Sequence, residues 1–321
     1  MSVSDSATLH VVAAVIRRPD GRVLLAQRPP GKALAGLWEF PGGKREAGES
    51  GFDALVRELD EELGLRIEAA EPLIAIPQTQ PRPLLLDAWR VTAWRGTPRG
   101  REGQAVIWAP DDLLDSLPMP APDRPIVAAL RLPSRYLITP PLPPATDPAR
   151  IDDALARALD AGIGLFQLRL PGWSRPELAR LAQRVLPRAQ SAGARVLLHA
   201  DCALAAVLGF DGVHLPARLA RGLQERPLPR GTWLGVSCHD RSELEHAVAI
   251  DADFVTVSPV QATASHPEAE PLGWPAFAEL AAFSPLPVYA LGGLGEADLA
   301  VARRHGAQGV AAIRAWWPGL V

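Results

Sequence analysis

The sequence predicts an α/β chain of two domains: a mixed sheet flanked by helices over residues 1–131, then a parallel (β/α)8 barrel over residues 136–321. Three observations carry this. A length of 321 residues suggests about two domains, and 48% hydrophobic content is enough to pack a core in each. The first 131 residues mix β-branched apolar runs with two amphipathic helical patterns. From Tyr136 onward eight short apolar strands alternate with helical stretches, the sequence signature of a parallel barrel.

In the first domain, residues 9–17 form an apolar strand, Pro19-Asp20-Gly21 a turn, and residues 22–27 the return strand of a β-hairpin. Further strands are expected at 73–76, 84–93 and 104–108. Residues 50–64 read as a helix. Ser50 is its N-cap, and Asp53, three residues on, stands where a capping box would close. Ala54, Leu55, Leu59 and Leu63 recur at helical spacing and point inward, and Gly64 is the C-terminal stop. A second helix is expected at 124–130, and a linker near 131–135. The barrel strands are placed at 136–139, 164–169, 195–199, 212–215, 232–237, 253–258, 287–291 and 308–313. Between them lie helices at 151–161, 175–192, 243–250, 275–282 and 297–304.

Composition narrows the function classes. A net charge of −3 supplies no basic field for a nucleic acid polymer. Cys202 and Cys238 do not make a disulfide framework and suggest a reducing cytoplasm. The polar N-terminus lacks the basic and apolar regions of a signal peptide, and no apolar run approaches the roughly 20 residues that span a bilayer. The expectation is a cytoplasmic chain acting on small molecules, with no membrane and no nucleic acid polymer as partner.

The chemistry concentrates in Gly43-Lys44-Arg45-Glu46-Ala47-Gly48-Glu49 and, after seven residues, Arg57-Glu58-Leu59-Asp60-Glu61-Glu62-Leu63-Gly64-Leu65. On the helix Glu58, Glu61 and Glu62 stand at i, i+3 and i+4, so their carboxylates share one face. Three crowded like charges are relieved by a hard divalent cation such as Mg2+, which oxygen ligands suit. Arg57 can pair with Glu49 and hold the preceding loop against the helix. The pattern G-x5-E-x7-R-E-L-x-E-E-x-G-L resembles the Nudix box of hydrolases that cleave nucleoside diphosphates linked to another moiety, and the mixed sheet matches the αβα sandwich of that fold.

The segment Gly36-Leu37-Trp38-Glu39-Phe40-Pro41-Gly42-Gly43-Lys44 is similar to the MutT type, which hydrolyses oxidised purine nucleoside triphosphates such as 8-oxo-dGTP. The resemblance implies that the Gly42 carbonyl, Glu58 and Glu62 bind Mg2+, with Mn2+ the alternative, and that Glu61 stands close by. It adds Glu102 as a further metal-site carboxylate, and Arg57 and Glu49 to the catalytic group. It places Arg28 on the diphosphate, Arg82 on the substrate side, and the Phe40 backbone on the purine. The implied reaction is water attack on the β-phosphorus, releasing a monophosphate and pyrophosphate, with Glu58, Glu49 or Glu102 as base. One position departs from the type: Asp123 stands where an asparagine reads the oxidised guanine. Asparagine both donates and accepts, whereas ionised aspartate only accepts.

Residues 136–316 resemble thiamine phosphate synthase and its thiazole tautomerase relatives. The matching phrases are Tyr136-Leu137-Ile138-Thr139, Phe166-Gln167-Leu168-Arg169, Asp211-Gly212-Val213-His214-Leu215, Leu234-Gly235-Val236-Ser237-Cys238-His239, Ser258-Pro259-Val260 and Leu291-Gly292-Gly293-Leu294. All lie at strand C-termini, where barrel enzymes place their sites. The resemblance implies a phosphate cradle at Gly292 and Gly293, substrate contacts from Gln167, Arg169 and Ser237, and one surviving metal carboxylate, Asp201. Several positions depart: Pro171 replaces a lysine, Ala200 an asparagine, and a second aspartate is lost within Pro216-Ala217-Arg218-Leu219. His266 stands where a lysine holds pyrophosphate, and Pro259 where the tautomerase has a histidine. The expectation is a barrel that binds a thiamine-related phosphate with its phosphoryl-transfer chemistry severely weakened, with His239 and His266 left as acid–base candidates. Retained synthase or thiazole chemistry is the alternative, and docking without catalysis a third reading.

Overall fold

The computed structural model describes residues 8–78, 83–263, 268 and 270–317. Two compact units divide the chain, Met1–Arg131 and Leu132–Val321.

The first unit runs β1 (Leu9–Ile16), β2 (Val23–Gln27), β3 (Trp38–Glu39), α1 (Gly51–Leu63), β4 (Arg66–Gln78), β5 (Leu84–Arg95), β6 (Val106–Ala109) and α2 (Asp123–Arg131). One three-stranded sheet has the order β1-β5-β4, with β1 parallel to β5 and β5 antiparallel to β4. The other, β3-β2-β6, is antiparallel. Alternation along β1 makes the sandwich. Val12, Ala14 and Ile16 pack into a core with Ala54, Leu55, Leu59 and Leu63 of α1, while Ala13 and Val15 pack into a second core with Ile126 and Val127 of α2. Helices therefore cover both faces of the sheet layer, which is the αβα arrangement.

The expected hairpin of β1 and β2 does not form. Gly21 N–H closes a turn on the Arg18 carbonyl, but the two strands share only the isolated bridge Arg17–Val23. Both edges of β1 are already taken. β5 runs along one, and on the other the Val12 and Ala14 N–H groups donate to the Gly43 and Pro41 carbonyls at 2.8 Å each. β4 is also longer than the apolar run 73–76, because its first half is exposed, contains Glu68 and Glu71, and carries register shifts that blur the alternation.

α1 begins where Ser50 Oγ accepts from Asp53 N–H at 3.1 Å. The Asp53 carboxylate accepts from the Ser50 hydroxyl at 2.6 Å instead of reaching the Ser50 backbone, so the reciprocal capping box is absent. Gly64 ends the helix at φ 67°, the left-handed conformation in which an L side chain is strained.

The second unit is a closed barrel of eight parallel strands. These are β7 (Arg135–Ile138), β8 (Leu165–Leu168), β9 (Arg195–His199), β10 (Gly212–Leu215), β11 (Trp233–Cys238), β12 (Phe254–Val257), β13 (Val288–Leu291) and β14 (Gly309–Ala312). The helices between them are α3 (Pro148–Asp160), α4 (Arg175–Ser191), α5 (Cys202–Leu208), α6 (Ala217–Ala220), α7 (Arg241–Ala249), α8 (Gly273–Phe283) and α9 (Leu299–Arg304). The sequence pattern did not reveal α5 and α6. With seven and four residues they span two turns or fewer, too short for a 3.6-residue period to register. Tyr136, Phe254 and Tyr289 fill the lower barrel interior, their ring centroids 5.5–5.6 Å apart. Among the described residues no helix is long and apolar enough to cross a membrane.

Candidate functional sites

In the first unit, α1 and the loop before it are clamped by one side chain. Arg57 donates from Nε and Nη2 to the two Glu49 oxygens at 3.0 Å each, and from Nη2 to the Lys44 carbonyl at 2.9 Å. Its Nη1 reaches Glu58 at 2.9 Å. This fork–fork geometry fixes the loop to the helix, and the Arg57 hydrogen bonds hold the Glu49 carboxyl below the usual carboxylate range. The glycines before the clamp are sterically required. A Cβ at Gly42 would lie 2.1 Å from the Val12 carbonyl, and one at Gly43 would lie 2.3 Å from the Glu58 carboxylate. The β1 ladder uses the carbonyls on either side of Gly42, and among the described residues the Gly42 carbonyl accepts no hydrogen bond.

The three glutamates of the helix differ in exposure. Glu58 is 15% exposed and faces inward, but Glu61 is 61% exposed and leans on Arg57 at 3.4 Å. Both carboxylates meet the same Arg57 Nη1, so Glu61 shares the Glu58 side of the helix but is open to solvent. Glu62 faces the interior. Burial first, then the charges of Glu58 and Glu102, push its carboxyl up to about 7. Glu102 is brought there by Gln104, which accepts from Glu102 N–H and donates to the Glu62 carbonyl. The Lys32 ammonium sits 2.5 Å from Glu102, and that bond raises the lysine pKa.

Among the described residues no three carboxylates or other ligand side chains converge tightly enough to cage an ion as placed. The metal set expected from the sequence is therefore spread apart, because Arg57 holds Glu58 and Lys32 holds Glu102. The donor chemistry nevertheless fits a hard cation. Burial and the charges of Glu58 and Glu102 raise the Glu62 carboxyl to about 7, a cost that a cation relieves, and the Lys32 ammonium already stands beside Glu102.

On the substrate side, the Arg28 guanidinium is held by Glu39 at 2.5 Å through Nη1 and by the Ala33 carbonyl at 2.6 Å through Nε. Asp123 is 6% exposed, and its Oδ1 accepts from the Phe40 N–H at 3.0 Å. The Phe40 N–H is therefore taken by Asp123. Burial drives the Asp123 carboxyl up to about 7 against the opposing pull of that hydrogen bond. Arg82 lies outside the described residues. Lys32 and Glu39 were missed in the sequence. Glu39 stands inside the phrase that carried the resemblance, whereas nothing local marks Lys32.

In the barrel, a cavity of about 750 Å3 opens among the strand C-termini, lined by residues that include Gln167, Arg169, His199, Arg218, Ser237 and His239. A second space of about 450 Å3 adjoins it at Gly292, Gly293, Ala312 and Ile313. Gly292 (φ 108°) and Gly293 (φ 71°) are in conformations that favour glycine, and a Cβ on Gly293 would come 2.7 Å from the Ala262 carbonyl. Beneath the cavity runs a buried chain of hydrogen bonds. Tyr136 joins Gln167 at 3.3 Å and His214 at 3.0 Å, His214 joins Ser237 at 2.9 Å, and Gln167 joins His199 at 2.9 Å. Burial lowers His214 to about 3, and burial with the charges of Arg169 and Arg218 lowers His199 to about 4, so both are neutral at pH 7.

Asp201 does not face the cavity as a free metal carboxylate. It caps α5 by accepting from Leu204 N–H at 2.9 Å, and it pairs with Arg175 at 2.9 Å. Ala200 offers no side-chain donor atom. A synthase-type metal therefore does not fit these residues. His239 Nδ1 is oriented by Glu243 at 2.8 Å. His266 lies outside the described residues. The strand-end position of His199 was a usable signal that the sequence reading passed over, and Arg218 lay within a phrase read only for its lost aspartate.

These two architectures define a Nudix-type αβα domain followed by a closed parallel barrel with a cavity at its strand C-termini. The chain belongs to both families: residues 12–129 match the NUDIX domain model, and residues 135–316, more than half of the chain, match thiamine monophosphate synthase. The first unit is similar to CTP pyrophosphohydrolase of Escherichia coli (strain K12), with 43% identity over 122 residues, covering 38% of this chain and 90% of that protein. It is also similar to 8-oxo-dGTP diphosphatase of Haemophilus influenzae, with 38% identity covering 35% of this chain and 83% of that protein. The barrel is similar to the putative thiamine-phosphate synthase of Geobacter sulfurreducens, with 41% identity covering 49% of this chain and 75% of that protein.

Proposed function

We propose that the first domain hydrolyses a nucleoside triphosphate to the monophosphate and pyrophosphate, with 8-oxo-dGTP as the leading substrate and clearance of oxidised nucleotides as the role. The observation that carries this reading is the buried Glu62, raised to about 7 beside Glu58 and Glu102. Such a cluster calls for a divalent cation. Glu58, Glu62, Glu102 and the Gly42 carbonyl would hold Mg2+ or Mn2+, with Glu61 at the solvent side of the set. When bound, the ion neutralises charge on the phosphate oxygens. The chain itself supplies alignment. Arg57 locks Glu49 and the glycine loop to α1, and Glu58, Glu49 or Glu102 serves as the base. Water adds to the β-phosphorus, its proton passes to the carboxylate, and the bond to the α-bridging oxygen breaks.

A second reading of the nucleobase is favoured by the 43% identical relative, a CTP pyrophosphohydrolase. Ionised Asp123 only accepts, which suits the exocyclic amine of cytosine as well as the N7–H and N2–H of 8-oxoguanine. For the barrel, the unfit metal site and the intact glycine cradle support a module that binds a phosphorylated small molecule without synthase chemistry.

The test is a hydrolysis panel with 8-oxo-dGTP, dGTP, CTP and dCTP in Mg2+. Release of pyrophosphate from 8-oxo-dGTP at the highest kcat/KM supports the leading reading, and a CTP maximum transfers it to the second. Glu58→Gln should lower kcat by about two to three orders of magnitude. Full activity in that variant would remove the site assignment.

A further inference from the structure

Three cations stand around the acidic cluster of the first domain, and a bound metal would not affect them alike. Arg57 keeps both Glu49 oxygens, and Arg28 keeps Glu39, because neither carboxylate belongs to the set that would hold the ion. Lys32 differs. Among the described residues its ammonium meets only Glu102, at 2.5 Å, and Glu102 does belong to that set. A divalent cation on Glu102 therefore takes the one partner Lys32 has and sets a like charge beside it. The root of the side chain is fixed. Arg28 N–H donates to the Leu37 carbonyl and Gly36 N–H to the Arg28 carbonyl, both at 2.9 Å, and the Gln27 amide donates to the Gly36 carbonyl at 2.9 Å, so the loop is closed at its base. Within it Lys32 N–H turns back on the Pro29 carbonyl at 3.3 Å. The Lys32 side chain itself is 51% exposed, so its flexible stem can swing without breaking any packing. It lies between the acids and the arginine expected on the diphosphate: Glu62 attracts the ammonium and Arg28 repels it.

We propose that Lys32 is a polyphosphate-binding residue that exchanges partners: it holds Glu102 in the empty site, and when a cation engages Glu102 it closes on the terminal phosphates of the nucleotide. The inference rests on the reading of the first domain as a nucleoside triphosphate hydrolase and adds to it the residue that selects a triphosphate over a monophosphate. The phosphate oxygens that share the cation with Glu102 are the nearest anions left to the displaced ammonium, and a compact point charge suits them. The exchange also couples the two ligands. A cation that frees Lys32 helps the nucleotide bind, and a nucleotide that draws Lys32 away opens Glu102 to the cation, by the same factor. The monophosphate product has no terminal phosphates for the ammonium, so Lys32 returns to Glu102 as it leaves.

Two equilibrium measurements on the full chain test this, neither of them an activity. Calorimetry with the uncleavable α,β-methylene analogues of dGTP and dCTP, and with dGMP and dCMP, in excess Mg2+, reads the phosphate contact. Lys32→Met should weaken the analogue that binds better by roughly 10-fold, the low end for a hydrogen bond between charged groups, and leave the monophosphates unchanged. Lys32→Arg, which keeps the charge, should restore most of the loss. Electron paramagnetic resonance of free Mn2+ reads the other partner. In the nucleotide-free chain Lys32→Met should bind Mn2+ more tightly, by up to about five-fold for so exposed a pair. A merely structural role for Lys32 cannot tighten one ligand and loosen the other. Equal analogue affinity in wild type and Lys32→Met, an equal loss for the monophosphates, or unchanged Mn2+ binding overturns the inference and leaves the hydrolase reading standing. If the wild-type chain binds neither analogue, both fall.

Discussion

Asp123→Asn probes the most perturbed acid of the first domain without changing its shape. The amide keeps an oxygen for the Phe40 N–H, so the change removes the charge and puts an N–H donor in place of the other oxygen. The native carboxyl is raised from 3.8 to about 7, chiefly by burial. A raised folded pKa means that the folded state holds the proton more tightly than the unfolded state. The associated stability is complete below pH 3.8 and is lost as pH rises toward 7, after which the loss is constant. At 1.36 kcal/mol per unit the full loss is about 4 kcal/mol, and the portion falling between pH 5 and pH 8.5 is about 3 kcal/mol. Glu62 contributes a loss of the same sign, but it is common to both proteins and cancels in their difference. Differential scanning calorimetry in EDTA at the two pH values reads the effect. The variant's advantage in the first-domain transition should widen by roughly 10 °C from pH 5 to pH 8.5. A melting difference that stays constant with pH would refute the buried, elevated carboxyl. The same variant presents both a donor and an acceptor to the base, so kcat/KM for 8-oxo-dGTP relative to CTP should rise about 10-fold at pH 8.

Two further outcomes are expected. Lys32→Met removes the ammonium beside Glu102, so half-saturating Mg2+ in the hydrolysis assay should fall by up to about five-fold, the ceiling for an exposed pair; an unchanged or higher requirement would show that the lysine does not compete with the ion. Ala200 sits at φ 69°, where L residues carry strain of roughly 1–2 kcal/mol that asparagine tolerates better. Ala200→Asn should therefore raise the barrel's melting temperature by about 2–4 °C in calorimetry, and a fall would mean that the strain is not borne by that side chain.

What could be read from the sequence was what repeats along it. The α1 stripe of Ala54, Leu55, Leu59 and Leu63, the Ser50 and Gly64 ends, and the eight barrel strands are local periodicities, and the Arg57–Glu49 clamp spans only eight residues. What could not be read was long-range pairing. Asp123 meets Phe40 across 83 positions, Lys32 meets Glu102 across 70, and Arg175 meets Asp201 across 26. No spacing rule encodes such contacts, because they depend on which strand edge or loop tertiary packing leaves vacant. The misplaced hairpin has the same origin: Pro19-Asp20-Gly21 makes its turn, but the edge β2 would have used belongs to residues 41–44.

The aromatic fill of Tyr136, Phe254 and Tyr289 has a consequence for traffic through the barrel. Each of these rings is fully enclosed, so among the described residues the interior is closed below the cavity at the strand C-termini. Whatever enters must leave by the same opening. Should the mouth ever hold two molecules at once, the one seated deeper has to arrive first and depart last, and a bulky occupant at the threshold would imprison the one behind it.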